Sequence, residues 1–109
     1  MNPIVRFAPS PTGQLHIGGV RTALFNYAFA KKYDGTFLIR IEDTDKERSK
    51  YEYTVQILDS LKWLGLEFKG EPIKQSTRTE RYNEVINYLL ETGNAYRCFT
   101  SSYELQRLR

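Results

Sequence analysis

The sequence predicts an α/β fold in which parallel strands are joined by helical crossovers. Two apolar runs, residues 4–8 and 36–41, have the length and the β-branched or aromatic content of strands. The segment between them has helical periodicity, and strands joined by a helix are expected to be parallel, in a right-handed βαβ unit. Two such strands do not complete a doubly wound sheet, so we expect the opening part of a larger enzyme.

Helical periodicity is found first between Gly18 and Tyr33, where apolar residues recur three or four positions apart. We expect this helix to end at Asp34-Gly35, with Gly35 in the left-handed conformation. A second helix follows a charged stretch and is expected to end at Gly65. Its predicted buried face consists of Val55, Leu58, Leu61 and Leu64.

The rest of the chain is predicted to be mostly helical. A loop with a short extended piece is expected at 66–75, and capping residues at 76–79 introduce a helix with regular apolar spacing, ended by Gly93. A short strand is expected at 95–99, and a last helix begins at Ser101-Ser102. Four aromatic side chains are predicted to pack internally: Trp63, Tyr82, Tyr88 and Tyr96.

The composition restricts the class of protein. Of the 109 residues, 40% are hydrophobic and 27% are charged, with a net charge of +3. These values fit a folded domain or part of one, and they permit an anionic partner. The single cysteine, Cys98, excludes an internal disulfide and a cysteine-rich metal site, and we expect a buried or half-buried thiol. No apolar run approaches the roughly 20 residues of a membrane span, and no secretory signal is recognised, so a soluble cytoplasmic protein is expected.

The turn between the first strand and the first helix is the main candidate for a ligand site. It contains Pro9, Pro11 and Gly13 and leads into His16-Ile17-Gly18-Gly19. A strand, a tight turn and a helix N-terminus together offer backbone N–H groups and the helix dipole to a phosphate. The motif is neither the G-x-G-x-x-G fingerprint nor a P-loop, and a histidine takes the position next to the phosphate. The alternative is a helix-capping histidine, with glycines that permit close packing.

Charged residues on and after the two strands form a second candidate site. Arg6 lies on the first strand and Glu42 at the C-terminal end of the second, the edge where ligands bind in open α/β sheets. One cation and one anion suit a zwitterionic amino acid, while a structural Arg–Glu ion pair is the alternative. Asp43 and Asp45 permit a Mg²⁺ site, or else they bond local backbone amides.

Several longer motifs, in order along nearly the whole chain, resemble the N-terminal part of bacterial-type glutamyl-tRNA synthetases, which are class I aminoacyl-tRNA synthetases. The motifs are Ala8-Pro-Ser-Pro-Thr-Gly-Gln-Leu-His-Ile-Gly-Gly, Arg21-Thr-Ala-Leu-Phe-Asn-Tyr-Ala, Leu38-Ile-Arg-Ile-Glu-Asp-Thr-Asp, Leu61-Lys-Trp-Leu-Gly-Leu, Gln75-Ser-Thr-Arg and Gly93-Asn-Ala-Tyr-Arg-Cys. The resemblance implies the first half of a Rossmann-like, nucleotide-binding catalytic domain at residues 1–97. At residues 98–109 it implies the start of an inserted subdomain that binds the tRNA acceptor end.

The resemblance also implies roles for the candidate residues. ATP binding is implied for His16, Gly18 and Gly19, with His16 acting on the phosphates as the catalytic residue. Glutamate binding is implied for Arg6, Ala8, Ser10 and Glu42. The class I signature is implied over eleven consecutive positions: Pro9, Ser10, Pro11, Thr12, Gly13, Gln14, Leu15, His16, Ile17, Gly18 and Gly19.

The implied reaction has two steps. The glutamate carboxylate attacks the α-phosphate of ATP, and the glutamyl-adenylate then esterifies the terminal adenosine of tRNA(Glu). Mg²⁺ is expected with ATP, and the parent enzyme is expected to be a monomer without membrane contact. No protein-bound zinc is expected, because Thr100 interrupts the Cys-x-Cys pattern of some members. The second, lysine-containing signature of the family has no counterpart here, so the isolated chain is expected to be inactive.

Four alternatives stay open. A related enzyme that activates glutamate to modify a tRNA base shares this N-terminal half. A glutaminyl enzyme usually opens with Pro-Glu-Pro-Asn-Gly in place of Pro-Ser-Pro-Thr-Gly. A nucleotidylyltransferase with a similar histidine and glycine arrangement leaves Arg6, Glu42 and the later motifs unexplained. A non-catalytic, truncated binding module is suggested only by the length of the chain.

Overall fold

Three parallel strands and two helices form the first part of the structure. The computed structural model describes residues 2–109 and divides into two units, the first ending at Arg78 and the second spanning Thr79–Arg109. The first unit contains β1 (Ile4–Phe7), α1 (Ile17–Lys32), β2 (Thr36–Ile41), α2 (Tyr51–Trp63), β3 (Ile73–Lys74) and a 3₁₀ turn (Gln75–Arg78). The second contains α3 (Thr79–Glu91) and α4 (Ser102–Arg107).

The sheet has the order β1-β2-β3, and both strand pairs are parallel. Arg6 is the partner of Leu38, and Arg40 is the partner of Ile73. The predicted α/β fold and the predicted parallel pair are therefore confirmed. The third strand is two residues long and lies within the segment predicted as a loop with a short extended piece.

The hydrophobic core lies on one face of this sheet. Phe7, Phe37, Ile39 and Ile41 are buried there together with Ala23 and Ala30 of α1 and Ile57 and Leu61 of α2. Each fully buried side chain of this size contributes about 1.5–3 kcal/mol through the hydrophobic effect. Side chains at alternate positions point away from the core, and Ile4 is 74% exposed. The first strand is therefore buried on one face only.

The end of α1 differs from the prediction in one residue. Asp34, not Gly35, has the positive φ, at 50°. Gly35 is required for another reason: a Cβ at this position would collide with the carbonyl oxygen of Pro3. That oxygen also accepts the backbone N–H of Thr36 at 2.7 Å, which holds the start of β2 beside the residue before β1.

Helix α2 buries a different set of side chains from the predicted one. Thr54, Ile57 and Leu61 are buried, whereas Val55 and Leu64 are 37% and 40% exposed. The helix ends before Gly65, as expected, and Gly65 has a positive φ of 73°. Trp63 is 86% exposed, so its predicted internal packing is wrong. Apolar periodicity found the helix but not its exact rotation, because Val55 and Trp63 are apolar residues on the outer face.

The second unit is helical throughout its regular structure. Helix α3 is followed by Gly93 with a φ of 73°, as expected. Residues 95–99 form no strand, so that prediction is wrong, and Tyr88 and Tyr96 are exposed rather than packed. Helix α4 begins with a capping box in which Ser101 and Glu104 satisfy each other's backbone N–H groups. Among residues 2–109, no helix has the length and apolar character needed to cross a membrane.

Candidate functional site

The loop between β1 and α1, residues 8–16, is anchored at three points to the rest of the first unit. The carbonyl oxygen of Pro9 accepts the backbone N–H of Glu42 at 2.9 Å, and that of Pro11 accepts the N–H of Lys50 at 3.0 Å. The backbone N–H of Leu15 donates to the side-chain oxygen of Gln56 at 2.8 Å. We call residues 8–16 the signature loop. It is held against both the C-terminal end of β2 and helix α2.

His16 is the N-cap residue of α1. Its backbone is extended, with φ −112° and ψ 172°, and its Nδ1 accepts the backbone N–H of Gly18 at 3.1 Å. The capping interpretation of this histidine is therefore confirmed. Because Nδ1 acts as an acceptor, the proton of the neutral ring lies on Nε2. The exposed imidazole can therefore still donate a hydrogen bond to a ligand at the N-terminus of the helix.

The two glycines after this cap allow the loop to close on the helix. A Cβ at Gly18 would lie 3.0 Å from Cε1 of His16, and a Cβ at Gly19 would lie 2.7 Å from Cδ1 of Leu15. Neither glycine has a positive φ. Close approach, rather than unusual backbone conformation, is therefore the reason for glycine at both positions. A side chain at position 18 would displace the capping imidazole.

A cavity of about 290 Å³ opens beside the signature loop. Its polar wall includes Ser10, Thr12 and His16, and its apolar wall includes Phe7 and Ile57. The volume is at the lower end of the range for small-molecule pockets, about 300–1,000 Å³. The cavity therefore has room for a molecule of the size of an amino acid, or for one part of a nucleotide.

Three of the four residues predicted to bind glutamate lie on one side of the sheet. Arg6 and Leu38 are strand partners, and side chains at alternate positions along each strand point the same way. Arg6 and Ala8 on the first strand and its continuation therefore face the same side as Glu42, opposite the hydrophobic core. Ser10 lies further along the loop and is exposed.

The alternative of an ion pair between Arg6 and Glu42 is not observed. Glu42 instead lies with its Oε1 3.7 Å from Nε of Arg40, two residues earlier on β2. Arg6 is exposed and is in none of the ion pairs among residues 2–109. The arrangement thus leaves one guanidinium exposed on the side of the sheet that carries Glu42, where it can pair with an anionic ligand.

Asp43 connects two distant segments of the chain. Its carboxylate accepts the backbone N–H of Ser76 at 2.9 Å and the hydroxyl of Ser76 at 2.7 Å. Partial burial raises the pKa of Asp43, but these hydrogen bonds and the nearby charge of Lys74 outweigh it, and the pKa is lowered overall. The backbone N–H of Asp43 itself also lowers this pKa, so the predicted local bonding is present beside the contacts with the distant Ser76.

Asp45 behaves as predicted and bonds within its own turn. It accepts the backbone N–H of Arg48 at 3.2 Å and Nε of the same residue at 2.7 Å. The hydrogen bond from the Arg48 side chain lowers the pKa of Asp45. Among residues 2–109, no group of three or more histidine, cysteine, aspartate or glutamate side chains is arranged to hold a metal ion.

Cys98 is exposed, so the predicted burial of its thiol is wrong. Its Sγ lies 3.2 Å from Oγ1 of Thr100, and the hydrogen bond between these two side chains lowers the pKa of the thiol.

Three contributions to the site were missed in the sequence. Arg40, the ion-pair partner of Glu42, could have been identified from the sequence, because it lies two positions earlier and therefore faces the same side of the sheet. The contacts made by Asp43 with Ser76 and by Gln56 with Leu15 join residues 33 and 41 positions apart. Neither of these long-range contacts follows from local spacing.

A family model described as "tRNA synthetases class I (E and Q), catalytic domain" matches residues 4–109. The glutamate–tRNA ligase of Prochlorococcus marinus is 64% identical over 105 residues, which cover 96% of this chain and 22% of the relative. That of Coprothermobacter proteolyticus is 62% identical over 104 residues, which cover 95% of this chain and 22% of the relative.

A solved structure of a glutamate tRNA ligase from Elizabethkingia meningosepticum, in complex with its amino acid, matches with a TM-score of 0.86 and 41% identity. The match covers 100% of this chain and 23% of that one, so the chain spans less than a quarter of the length of its relatives. This similarity confirms the predicted Rossmann-like fold. The family match over residues 4–109 shows that the chain belongs to the catalytic-domain family of class I tRNA synthetases for glutamate and glutamine.

Proposed function

We propose that the protein carrying this chain activates glutamate with ATP and attaches it to tRNA(Glu). The observation that carries the proposal is the anchored signature loop, which ends at the N-terminus of α1 with His16 as its cap. Membership of the synthetase family supports it, as does the similarity to the two relatives described above, which are glutamate–tRNA ligases.

The ATP side of the proposed site consists of His16, Gly18 and Gly19. Nε2 of His16 is the free donor of a ring whose other nitrogen is fixed by the backbone N–H of Gly18. The N-terminus of α1 adds the positive end of the helix dipole, which favours phosphate. The absence of side chains at the two glycines lets the ring of His16 and the side chain of Leu15 lie against the start of the helix, which keeps His16 on the ATP side of the site.

The glutamate side of the proposed site consists of Arg6, Ala8, Ser10 and Glu42. The exposed guanidinium of Arg6 suits a carboxylate of the substrate, because it offers two parallel donors. Glu42 suits the substrate ammonium, and its backbone is fixed to the signature loop through Pro9. Ala8 presents only a methyl group between these charges and leaves space for the substrate.

The chemistry of the proposed reaction needs positioning and charge stabilisation rather than a covalent protein intermediate. The substrate carboxylate attacks the α-phosphate, pyrophosphate leaves, and the adenylate is transferred to the terminal ribose of tRNA. A donor such as His16, directed at charge that develops in the transition state, typically supplies about 3 kcal/mol. Holding two substrates beside one loop supplies the proximity that the first step requires.

The remaining assignments are part of the same proposal. Mg²⁺ enters with ATP as part of the substrate, and no protein-bound zinc is involved. Residues 1–97 form the first half of the nucleotide-binding domain, and residues 98–109 begin the subdomain that receives the tRNA acceptor end. The 109-residue chain alone is inactive, since a second, lysine-containing signature must complete the ATP site.

The experiment compares the full-length protein with the 109-residue chain in a tRNA charging assay with labelled glutamate. The full-length protein is expected to form glutamyl-tRNA that releases glutamate on mild alkaline treatment, as an ester at the 3′ end does. Transfer of label to tRNA that lacks its 3′-terminal adenosine would identify the base-modifying alternative. Binding of one substrate without turnover by the full-length protein would identify a binding module. Robust charging or pyrophosphate exchange by the 109-residue chain would contradict its predicted inactivity.

A further inference from the structure

Gln56, on helix α2, reaches across to the signature loop. Its side-chain oxygen accepts the backbone N–H of Leu15 at 2.8 Å in a partly buried position. The other two anchors of this loop use the backbone N–H groups of Glu42 and Lys50, which any non-proline residue provides. Gln56 is therefore the one anchor of the three that depends on the identity of a side chain.

The orientation of the Gln56 amide is fixed by its own helix. Nε2 donates to Oγ of Ser60 at 3.0 Å, and that hydroxyl donates to the backbone oxygen of Gln56 at 2.7 Å. Because the hydroxyl proton is already used, Oγ can only accept from the amide nitrogen. The amide oxygen must then point towards Leu15, whose backbone N–H donates to it. The network thus presents an acceptor to the loop in a single orientation.

Leu15 transmits this contact to the histidine. It directly precedes His16 in the chain, and its side chain packs against the core cluster and close to Gly19. Fixing the N–H of Leu15 therefore fixes the peptide that leads into the capping residue. The backbone N–H of Gly18 can donate to Nδ1 of His16 only when the backbone of His16 is held in this position.

We propose that Gln56 is a positioning residue, which sets the orientation and the tautomer of His16 through Leu15. It touches no substrate and acts only through the loop. The inference extends the proposed function. The expected effect on ATP binding rests on that function, whereas the expected effect on the His16 tautomer does not. Loss of the acceptor leaves a partly buried N–H without a partner and allows the loop to depart from the end of α1.

The first test uses nuclear magnetic resonance on the 109-residue chain, whose sequence contains a single histidine. The imidazole nitrogen signals therefore need no assignment, provided that no histidine tag is present. In the unmodified chain and in Gln56→Glu, which keeps an acceptor oxygen, we expect the proton on Nε2. In Gln56→Leu, we expect a mixture of the two tautomers and roughly tenfold faster exchange of the Leu15 amide. Asp59→Asn, an exposed change on the same helix, is the matched control.

The second test uses the full-length protein and requires no folding of the isolated chain. Gln56→Leu is expected to raise KM for ATP roughly tenfold and to leave KM for glutamate unchanged, with rescue by Gln56→Glu. Ser60→Ala, which releases the amide without removing the acceptor, is expected to act in the same direction but more weakly. Equal changes in both KM values, or no rescue, would show a merely structural role and overturn the inference. Unchanged His16 signals in a folded Gln56→Leu chain would do the same, whether or not the protein charges tRNA.

Discussion

The backbone N–H of Glu42 donates to the carbonyl oxygen of Pro9 at 2.9 Å, which continues the parallel pairing of β1 and β2 beyond the last strand residues. This bond joins two segments that carry separate candidate motifs, the signature loop and the acidic stretch after β2. Because the bond is between backbone atoms, its geometry follows from the strand register rather than from either side chain. The register thereby sets where the proposed ATP and glutamate sides of the site meet.

Replacement of His16 separates its capping role from its proposed catalytic role. His16→Ala removes the acceptor for the Gly18 N–H and is expected to lower the free energy of unfolding by about 1 kcal/mol. His16→Asn keeps a good capping acceptor and is expected to be nearly neutral for stability. Both variants lose the imidazole donor, and in the full-length protein both are expected to reduce kcat by about 100-fold or more. Denaturant unfolding and charging kinetics provide the two measurements, and equal stability loss in both variants contradicts the capping assignment.

Glycine replacements test the close contacts behind the signature loop. Gly19→Ala places a methyl group 2.7 Å from Cδ1 of Leu15, which must move, and we expect a net loss of about 1 kcal/mol in the free energy of unfolding after the gain in helix propensity. Gly13→Ala is the control, since no atom lies within 4 Å of the added Cβ. The urea midpoints of the two variants should differ clearly. Equal midpoints would mean that the Leu15 side chain moves aside without a loss of stability.

The hydrogen bonds from Ser76 determine the titration of Asp43. Its pKa is lowered from an ordinary value of 3.8, so the folded chain binds this proton less readily than the unfolded chain does. The carboxylate therefore contributes its stabilisation fully above the unfolded value, and this stabilisation is lost as the pH falls through the lower, folded value. Ser76→Ala removes the hydroxyl donor and is expected to raise the pKa of Asp43. Carboxyl NMR titration measures the shift, and Asp45 in the same sample is expected to remain unchanged.

The rotation of α2 can be tested with two substitutions close together in its sequence. Leu61 is fully buried and Trp63 is 86% exposed. Leu61→Ala is expected to lower the free energy of unfolding by about 2–5 kcal/mol, whereas Trp63→Ala is expected to change it by about 0.5 kcal/mol or less. A larger loss from the tryptophan variant would place the opposite face of the helix in the core.

Much of the fold could be predicted because it follows from local pattern. The bounds of β2 match the apolar run exactly as expected, and α1 matches within one residue at each end. The rotation of α2 and the two-residue strand β3 could not be predicted in the same way. Burial of Thr54 rather than Val55 depends on which side of the helix faces the sheet. The two residues of β3 form a strand only because they pair with Arg40 and Ile41.

The same distinction between local patterns and long-range contacts applies to the candidate site. His16 and Glu42 could be selected because a turn before a helix and the end of a strand are recognisable in sequence. The contacts that hold them could not be selected, since Gln56 and Ser76 are polar residues on or before helices with many possible partners. Exposed aromatic residues such as Tyr96 were misread for a related reason: an apolar side chain in the sequence does not specify what covers it.

The most direct test of the central claim is the charging of tRNA(Glu) with labelled glutamate by the full-length protein and by its His16→Asn variant. We predict alkali-labile glutamyl-tRNA from the unmodified protein, and at least about 100-fold slower formation by a variant that unfolds at the same denaturant concentration. No ester-linked product from the unmodified protein, or equal rates for the two proteins, would contradict the assignment of this loop to ATP-dependent activation of glutamate.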